Sequence, residues 1–402
     1  MTSAGSAVIA FATLLPGGGG DSKIAVVDHF DVAPGLRYAR WEETGLIVHV
    51  MEFDLATESI TLRSVKAKGK ETLREMADRM GQEGSEVLGA INGDYFRMKS
   101  EAGLPFGAQV SDGRLLFGPM DRSMIAFGPK NEPSIGVAQL KAKVTFAAPS
   151  SLTDSMWIKV DDVNELEDED KRKAGVYLYT PSFLGLDVSR PKGTTAVIET
   201  IEPALQIGDI CTGKLARVET GDAKVEVPES GCLIYFFGPN HKDTAAKLKA
   251  GKPVALKLEL TGVPGSVQQA IGGGPRLIRN GKPDPELSKE GFEPVYAMEL
   301  SKRHPRSAVG FDKERKILRL VTVEGREEKS RGMTFGELAA FLDKLGCWQA
   351  MAFDGGGSAG MFVADHGRIS KDLGGGKETE ERALANALFL VRPKPADDKE
   401  SK

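Results

Sequence analysis

The segment 334–358, TFGELAAFLDKLGCWQAMAFDGGGS, carries a helix, a stop, a strand and a polar loop in one continuous run. Thr334 and Glu337 form a T-x-x-E capping box, in which each side chain satisfies an amide donor left free at a helix start. Leu338, Phe341, Leu342 and Leu345 then keep the i, i+3, i+4, i+7 spacing of an amphipathic helix, and Gly346 supplies its stop. The apolar run 348–353 predicts a short buried strand. Asp354-Gly355-Gly356-Gly357-Ser358 sits at its end, the kind of loop on which chemistry is often placed.

The same order of signals occurs upstream at the same length. Thr72 and Glu75 form a second capping box, a helical stretch runs to Met80, Gly84 holds the offset of Gly346, and the strand 87–91 delivers Asn92-Gly93-Asp94-Tyr95-Phe96 to a turn. Two explanations stay open. Helix, turn and strand units of ordinary length can coincide, or two related units present polar loops from equivalent strand ends, with a site between them. Further strands are predicted at 46–55, 60–65 and 317–323. The region 124–260 reads as short strands separated by Gly, Pro and Asp, clearest at 176–179, 195–198, 232–237 and 254–260. The doubly charged run 161–173 reads as a solvated loop or helix face. The expected fold is therefore α+β, with strand-rich mixed sheets and a few amphipathic helices.

With 402 residues the chain buries a core without disulfide or metal staples. Its 53 Lys and Arg against 57 Asp and Glu give a net charge of -4 and no basic field for nucleic acid. No apolar run reaches the roughly 20 residues of a transmembrane helix. Residues 1–33 read as an export signal or a disordered leader. The apolar stretch from Ala7 to Leu15 resembles a signal core but lacks a basic flank and a clean cleavage site. A functional signal implies a periplasmic or secreted protein; otherwise the chain is cytoplasmic. Residues 393–402 read as a disordered tail.

Three cysteines without a C-x-x-C pair and five histidines without H-E-x-x-H predict no metal site. In an exported chain Cys211 and Cys232 are the candidate disulfide pair, and Cys347 is expected to be buried beside Trp348. Gly355, Gly357 and Gly360 fit G-x-G-x-x-G, but a strand follows where a dinucleotide site needs a helix. Residues 356–360 also match G-x-S-x-G. A serine hydrolase using Ser358 is a minor alternative, because only His366 follows and no helix begins there. Asp354 is either a reactive carboxylate beside donor-rich backbone or an Asx-turn cap for the glycine loop.

Seven motifs, in order, resemble the phosphodiester glycosidase family. They are Ala90-Ile91-Asn92-Gly93-Asp94-Tyr95-Phe96, Ala270-Ile271-Gly272-Gly273-Gly274-Pro275, Arg306-Ser307-Ala308-Val309-Gly310 and Val323-Glu324-Gly325-Arg326. Gly332-Met333-Thr334, Phe353-Asp354-Gly355-Gly356-Gly357-Ser358 and Arg382-Ala383-Leu384-Ala385-Asn386-Ala387 complete the series. The resemblance covers about residues 34–392. This chain departs from many relatives in having Glu324 in place of Asp and Ala359 in place of a hydroxyl residue.

The resemblance implies a glycoside hydrolase that cuts between a sugar anomeric carbon and a phosphodiester oxygen. Bacterial relatives linked to exopolysaccharide imply an envelope or extracellular phosphorylated glycan as substrate. On that reading Asp354 is the nucleophile or base, and Asp94 or Glu324 is the second carboxylate. Arg306 with the amides of Gly272, Gly273 and Gly274 forms a phosphate clamp. Asn92 and Ser358 bond sugar hydroxyls, with Gly355 and Gly356 lining the substrate loop. No cofactor is fixed, and a divalent cation has a place in such chemistry. The rival reading is a non-catalytic glycan-binding or envelope-scaffold protein on the same fold.

Overall fold

Strands Arg306–Phe311 and Gln349–Ala352 are buried on both faces, which requires a layer on each side of their sheet. The computed structural model describes residues 24–98, 103–147, 153, 156–164, 173–183, 188–189, 193–221, 224–263, 265–285, 290–292, 302–370 and 381–394, and shows both layers. An eight-stranded sheet runs, in spatial order, through Ala25–Ala33, Leu36–Glu43, Leu46–Asp54, Ile317–Val323, Arg306–Phe311, Gln349–Ala352, Arg276–Arg279 and Lys282–Pro283. Along the strand ending at Ala352, Ala350 and Ala352 face the helix Phe335–Lys344, while Met351 and the following Phe353 face inward. The period of two assigns alternate residues to two different cores.

The inner core joins this sheet to a five-stranded one ordered Gly367–Arg368, Met361–Val363, Ser85–Asn92, Leu384–Pro393 and Thr61–Glu71. Met51, Phe53, Val309, Phe311, Met351 and Phe353 meet Leu62, Leu88, Ile91, Leu388 and Leu390 there. On the outer face of the five-stranded sheet, Met76, Ala77 and Met80 of the helix Leu73–Gln82 pack on Ala90, Ala387 and Phe389. The layers are thus helix, sheet, sheet, helix. The two units matched in the sequence supply the outer helix and one strand of each half.

Their local chemistry matches as well. Both capping boxes form: Glu75 N–H donates to Thr72 Oγ1 at 3.2 Å, and Glu337 N–H donates to Thr334 Oγ1 at the same distance. Gly84 and Gly346, just past the helices, have φ of 89° and 81°, a left-handed conformation that glycine adopts without a Cβ penalty.

A second assembly, from residues 109 to 272, adds a five-stranded sheet and a sheet of eight strands. The latter runs in spatial order through Ile158–Val160, Gln139–Thr145, Pro253–Thr261, Ile210–Thr220, Thr194–Glu202, Cys232–Phe237, Gly175–Tyr179 and Asp162–Val163. Strand makes up 51% of the structure and helix 11%, so the class is mostly β and the α+β expectation fits only roughly. The folded region also starts earlier than residue 34, because Ala25–Ala33 pairs along Leu36–Glu43. Residues 1–23, 165–172 and 395–402 lie outside the described residues, as do the readings that fall on them. No described helix is long and apolar enough to cross a membrane.

The expected Cys211–Cys232 bridge is not formed, and all three thiols are free and buried. Cys211 and Cys232 lie on strands separated by Thr194–Glu202, and two strand spacings of about 4.8 Å exceed the roughly 7 Å Cα limit for a disulfide. Burial holds the Cys347 thiol up at about 12 and raises the other two. Denatured without reductant, the chain is expected to titrate three thiols. A count of one would restore the bridge.

Candidate active site

The ends of the two matched strands are stitched together. Asn92 Nδ2 donates to the Asp354 carbonyl at 2.8 Å, and the Asp354 N–H donates to the Gly93 carbonyl at 2.9 Å. Asn92 Oδ1 accepts from Ser307 Oγ at 2.6 Å and from Gly360 N–H at 3.1 Å. Every polar atom of this buried amide is therefore used within the protein. The structure places Asn92 as the tie between the sheets rather than as a ligand for sugar hydroxyls.

The tie brings Asp94 and Asp354 into electrostatic contact. Asp94 is 3% exposed; its Oδ1 accepts from Tyr95 N–H at 2.8 Å and its Oδ2 from Gly107 N–H at 2.5 Å. Burial raises its carboxyl to about 7, against the pull of these amides and of Arg122, and the Asp354 charge adds to the rise. Asp354 is partly accessible and accepts from Gly355 N–H at 2.9 Å. Burial raises it to about 6, opposed by Ser358, Arg382 and Arg306. Such a coupled pair titrates in steps that belong to both groups. Burial thus holds both carboxyls above the ordinary aspartate range, Asp94 the higher of the two.

The glycines serve close approach rather than amide donation. A Cβ on Gly272 or Gly107 would lie 2.6 or 2.8 Å from Asp94 Oδ2, so both must be glycine for the carboxylate to fit. Gly274 N–H is used by Ala352, and a Cβ on Gly273 would meet the Ala352 carbonyl at 2.6 Å. In the second loop Gly356 N–H bonds Pro305 and Ser358 N–H bonds Gly355. A Cβ on Gly357 would strike the Arg382 guanidinium at 2.6 Å, and one on Gly356 would lie 3.0 Å from Arg326 Nη2. Of the expected cradle, Gly274 spends its amide within the protein, and at the second loop arginines lie against a bare backbone.

Arg306 departs from its expected role as the clamp. Its Nε donates to the Met333 carbonyl at 2.9 Å, its Nη2 to Lys302 at 2.6 Å, and its plane lies 3.9 Å over Phe335. Burial lowers its pKa to about 10, so it remains cationic at neutral pH and acts on Asp354 by charge while it supports the loop. Glu324 departs further. Its Oε1 lies 2.9 Å from His49 Nε2, and His49 Nδ1 lies 2.8 Å from the Tyr38 hydroxyl. Two positions before Glu324, Thr322 is registered against His49, so the strand's alternation turns this carboxylate toward the imidazole. Asp94, not Glu324, is the carboxyl that the structure brings into electrostatic contact with Asp354.

Ser358 bonds the Asp354 carboxylate and sits 3.5 Å from Arg382 Nη1. His366 instead stacks on Phe30, with ring centroids 4.3 Å apart. After Gly356–Ser358, a single 3-10 turn, the chain enters the strand Met361–Val363 and forms no nucleophile elbow. A Ser358–His366 pairing is thus absent among the described residues.

Several residues at the site carried no assignment from sequence. Asn386 Oδ1 accepts the Asp94 N–H at 2.9 Å, and Tyr95 hydroxyl donates to the Gly274 carbonyl at 3.2 Å. Arg122 lies 4.1 Å over Phe292 and 5.5 Å over Tyr95. The Nε atoms of Arg122 and Arg382 are buried with no hydrogen-bond partner among the described residues. Arg326, Arg382 and Asn386 do fall in the quoted motifs, which signalled position but not role. Glu290 is buried too, but it receives Ser123 N–H, Ser123 Oγ and Arg276 N–H, each at 2.8 Å, and is structural. Among the described residues no group of three or more His, Cys, Asp or Glu converges to hold a metal ion.

Comparison with known proteins bears on the family and the fold. Residues 212–391 match the model of the phosphodiester glycosidase family, which bears out the resemblance seen in the motifs. The match contains Arg326, Asp354 and Arg382; Asp94 lies before it. Over 104 residues the chain is 32% identical to the SPbeta prophage-derived uncharacterized protein YomE of Bacillus subtilis (strain 168), covering 26% of this chain and 15% of that one. Among solved structures, a hypothetical protein from Synechocystis aligns with a TM-score of 0.69 at 20% identity, over 89% of this chain and 62% of that chain. A Burkholderia pseudomallei K96243 protein, described only provisionally as exported, aligns at 0.63 and 18% identity, over 86% of this chain and 74% of its own. These likenesses establish the fold. The zebrafish N-acetylglucosamine-1-phosphodiester alpha-N-acetylglucosaminidase catalytic domain, auto-inhibited by pro-peptide, aligns at 0.45 and 14% identity, over 92% of this chain and 85% of that one.

The raised carboxyls give a test of the site's electrostatics. Asp94 binds its proton more tightly in the folded chain than in the unfolded one, so stability present below about pH 4 is lost as pH rises through about 7. The melting temperature of the wild type should therefore decline relative to that of Asp94→Asn over this range. A constant difference between the two would show that Asp94 is unperturbed.

Proposed function

We propose that the chain hydrolyses glycosyl-1-phosphodiesters in an envelope or extracellular glycan. The observation that supports this most is a pair of aspartates with raised carboxyls beside arginines, Arg122 and Arg382, whose Nε atoms have no hydrogen-bond partner among the described residues. The family match supplies the reaction class. A phosphodiester substrate brings both an anion for the arginines and an anomeric carbon for a carboxylate.

In this reading Asp354, ionised first, acts on C1 directly or through a water molecule, while Ser358 and Gly355 orient its oxygens. The bond from C1 to the phosphate oxygen breaks, and the electron pair leaves with the phosphate. Arg382 and Arg326, lying against the glycine loop, receive the added charge. Asp94, whose carboxyl is raised the further of the two, is the proton donor to the leaving oxygen. Retention at C1 marks a glycosyl-enzyme intermediate and inversion marks direct attack by water.

A screen of glycosyl-1-phosphodiesters, with and without chelator, identifies the sugar and tests the class. On the accepted substrate Asp354→Asn should fold and bind, while turnover falls at least about 10²-fold, the lower end for a positioned acid or base. Near-normal turnover in that folded variant would remove Asp354 from the mechanism. Arg382→Ala should lose about 10-fold to 100-fold on the phosphodiester and far less on an uncharged aryl glycoside of the same sugar. Equal losses on both would make Arg382 structural. Arg306→Ala should instead lower the melting temperature, because it removes the guanidinium hydrogen bonds to the Met333 and Lys302 carbonyls.

A further inference from the structure

A cleft of about 490 Å³ lies beside the Asp94 loop, lined in part by Arg97, Phe106, Phe117, Lys173 and Tyr177. One wall is the outer side of the segment that holds Asp94. Phe106 N–H bonds the Tyr95 carbonyl at 2.9 Å, and the next residue, Gly107, holds the Asp94 carboxylate. The lining also includes Gly118, Pro119 and Met120, and two residues later the same chain places Arg122 over Phe292 and Tyr95. Both segments thus lead within a few residues to the proposed reacting groups.

The chemistry of the cleft differs from that of the carboxylate pair. Phe106 is 39% exposed and offers a flat apolar face of the kind that takes the C–H side of a sugar ring, while the buried Phe117 and Tyr177 lie in the lining behind it. The two acids that border the cleft are occupied. Asp161 is held by Lys159 Nζ at 2.8 Å and Val176 N–H at 2.9 Å, and Asp162 accepts from Val163 N–H at 2.7 Å. The side chains of Arg97 and Lys173, in contrast, have no hydrogen bond or ion pair among the described residues. The charge left for a ligand is positive.

We propose that this cleft is the subsite for the group beyond the phosphate, and that this aglycone is a sugar bearing its own anionic substituent. The inference rests on the glycosyl phosphodiester reading above. The aglycone ring lies on Phe106, and Arg97 with Lys173 pairs with its anion, which makes a glycan of repeated anionic sugars the substrate class.

Two probes separate these ideas: α-glucosyl phosphate esterified to O6 of glucose, and the same compound with a phosphate monoester on the distal glucose. Binding is measured by calorimetry on full-length Asp354→Asn protein, in which the probe persists, with and without Arg97→Gln, Arg97→Glu or Phe106→Ala. The phosphorylated probe should bind about tenfold tighter than its neutral counterpart, the scale of one charge-assisted contact, and both Arg97 variants should erase that preference. Phe106→Ala should weaken both probes about equally, while melting curves show that each variant is folded. No preference in the parent protein, or an unchanged one in both Arg97 variants, would overturn the subsite. Turnover of the same probes by wild-type chain is read separately. Binding preference without turnover supports the subsite and sinks the catalytic reading, whereas turnover without preference does the opposite.

Discussion

The pair of hydrogen bonds between Asn92 and the Asp354 carbonyl, and between the Asp354 N–H and the Gly93 carbonyl, is the constraint on which the site depends. Each bond joins the end of a strand in one sheet to the end of a strand in the other. Position 92 needs a group that donates and accepts at once, because its Nδ2 serves Asp354 while its Oδ1 serves Ser307 and Gly360. Only an amide meets that demand at this length; a carboxylate would face the Asp354 carbonyl without a proton to give. Since the tie lies at 1% exposure, an unmet partner there carries the full desolvation cost.

From that tie follow the electrostatics. Two carboxyls are held in a region of low polarity, which favours their protonated forms, while amide donors and arginines favour the ionised ones. Neither influence cancels the other, so both groups titrate close to neutrality. Burial of this kind lowers stability at neutral pH and is tolerated where chemistry needs it. The glycines belong to the same balance. At 107 and 272 they make room for one carboxylate, and at 356 and 357 they let guanidinium groups lie against the main chain.

The relation between the two halves is equally physical. Each unit carries its own capping box, its own left-handed glycine and a strand that ends at the site. Each helix covers the outer face of its sheet, so the polar loops emerge at the edge where the inner faces meet. The second assembly adds a wall rather than reacting groups, and the cleft with Arg97 and Phe106 lies on that side.

Helix starts, glycine stops, the strand 317–323 and the strand 232–237 were legible in the sequence because they depend on neighbours a few positions away. The ordered motifs likewise marked both polar loops and the family whose model matches residues 212–391. The strand Ala25–Ala33 was missed because its residues are mostly exposed and lack the alternation that marks a buried face. Roles within the motifs depended on partners hundreds of residues away. Sequence alone could not show that Glu324 meets His49, that Arg306 is held by two carbonyls, or that Asp94 rather than Glu324 shares a field with Asp354. Local pattern determined which elements form and which loops carry polar groups. Only the packing of two sheets decided which of those groups meet, because burial and charge coupling are properties of the assembled core and not of the segment.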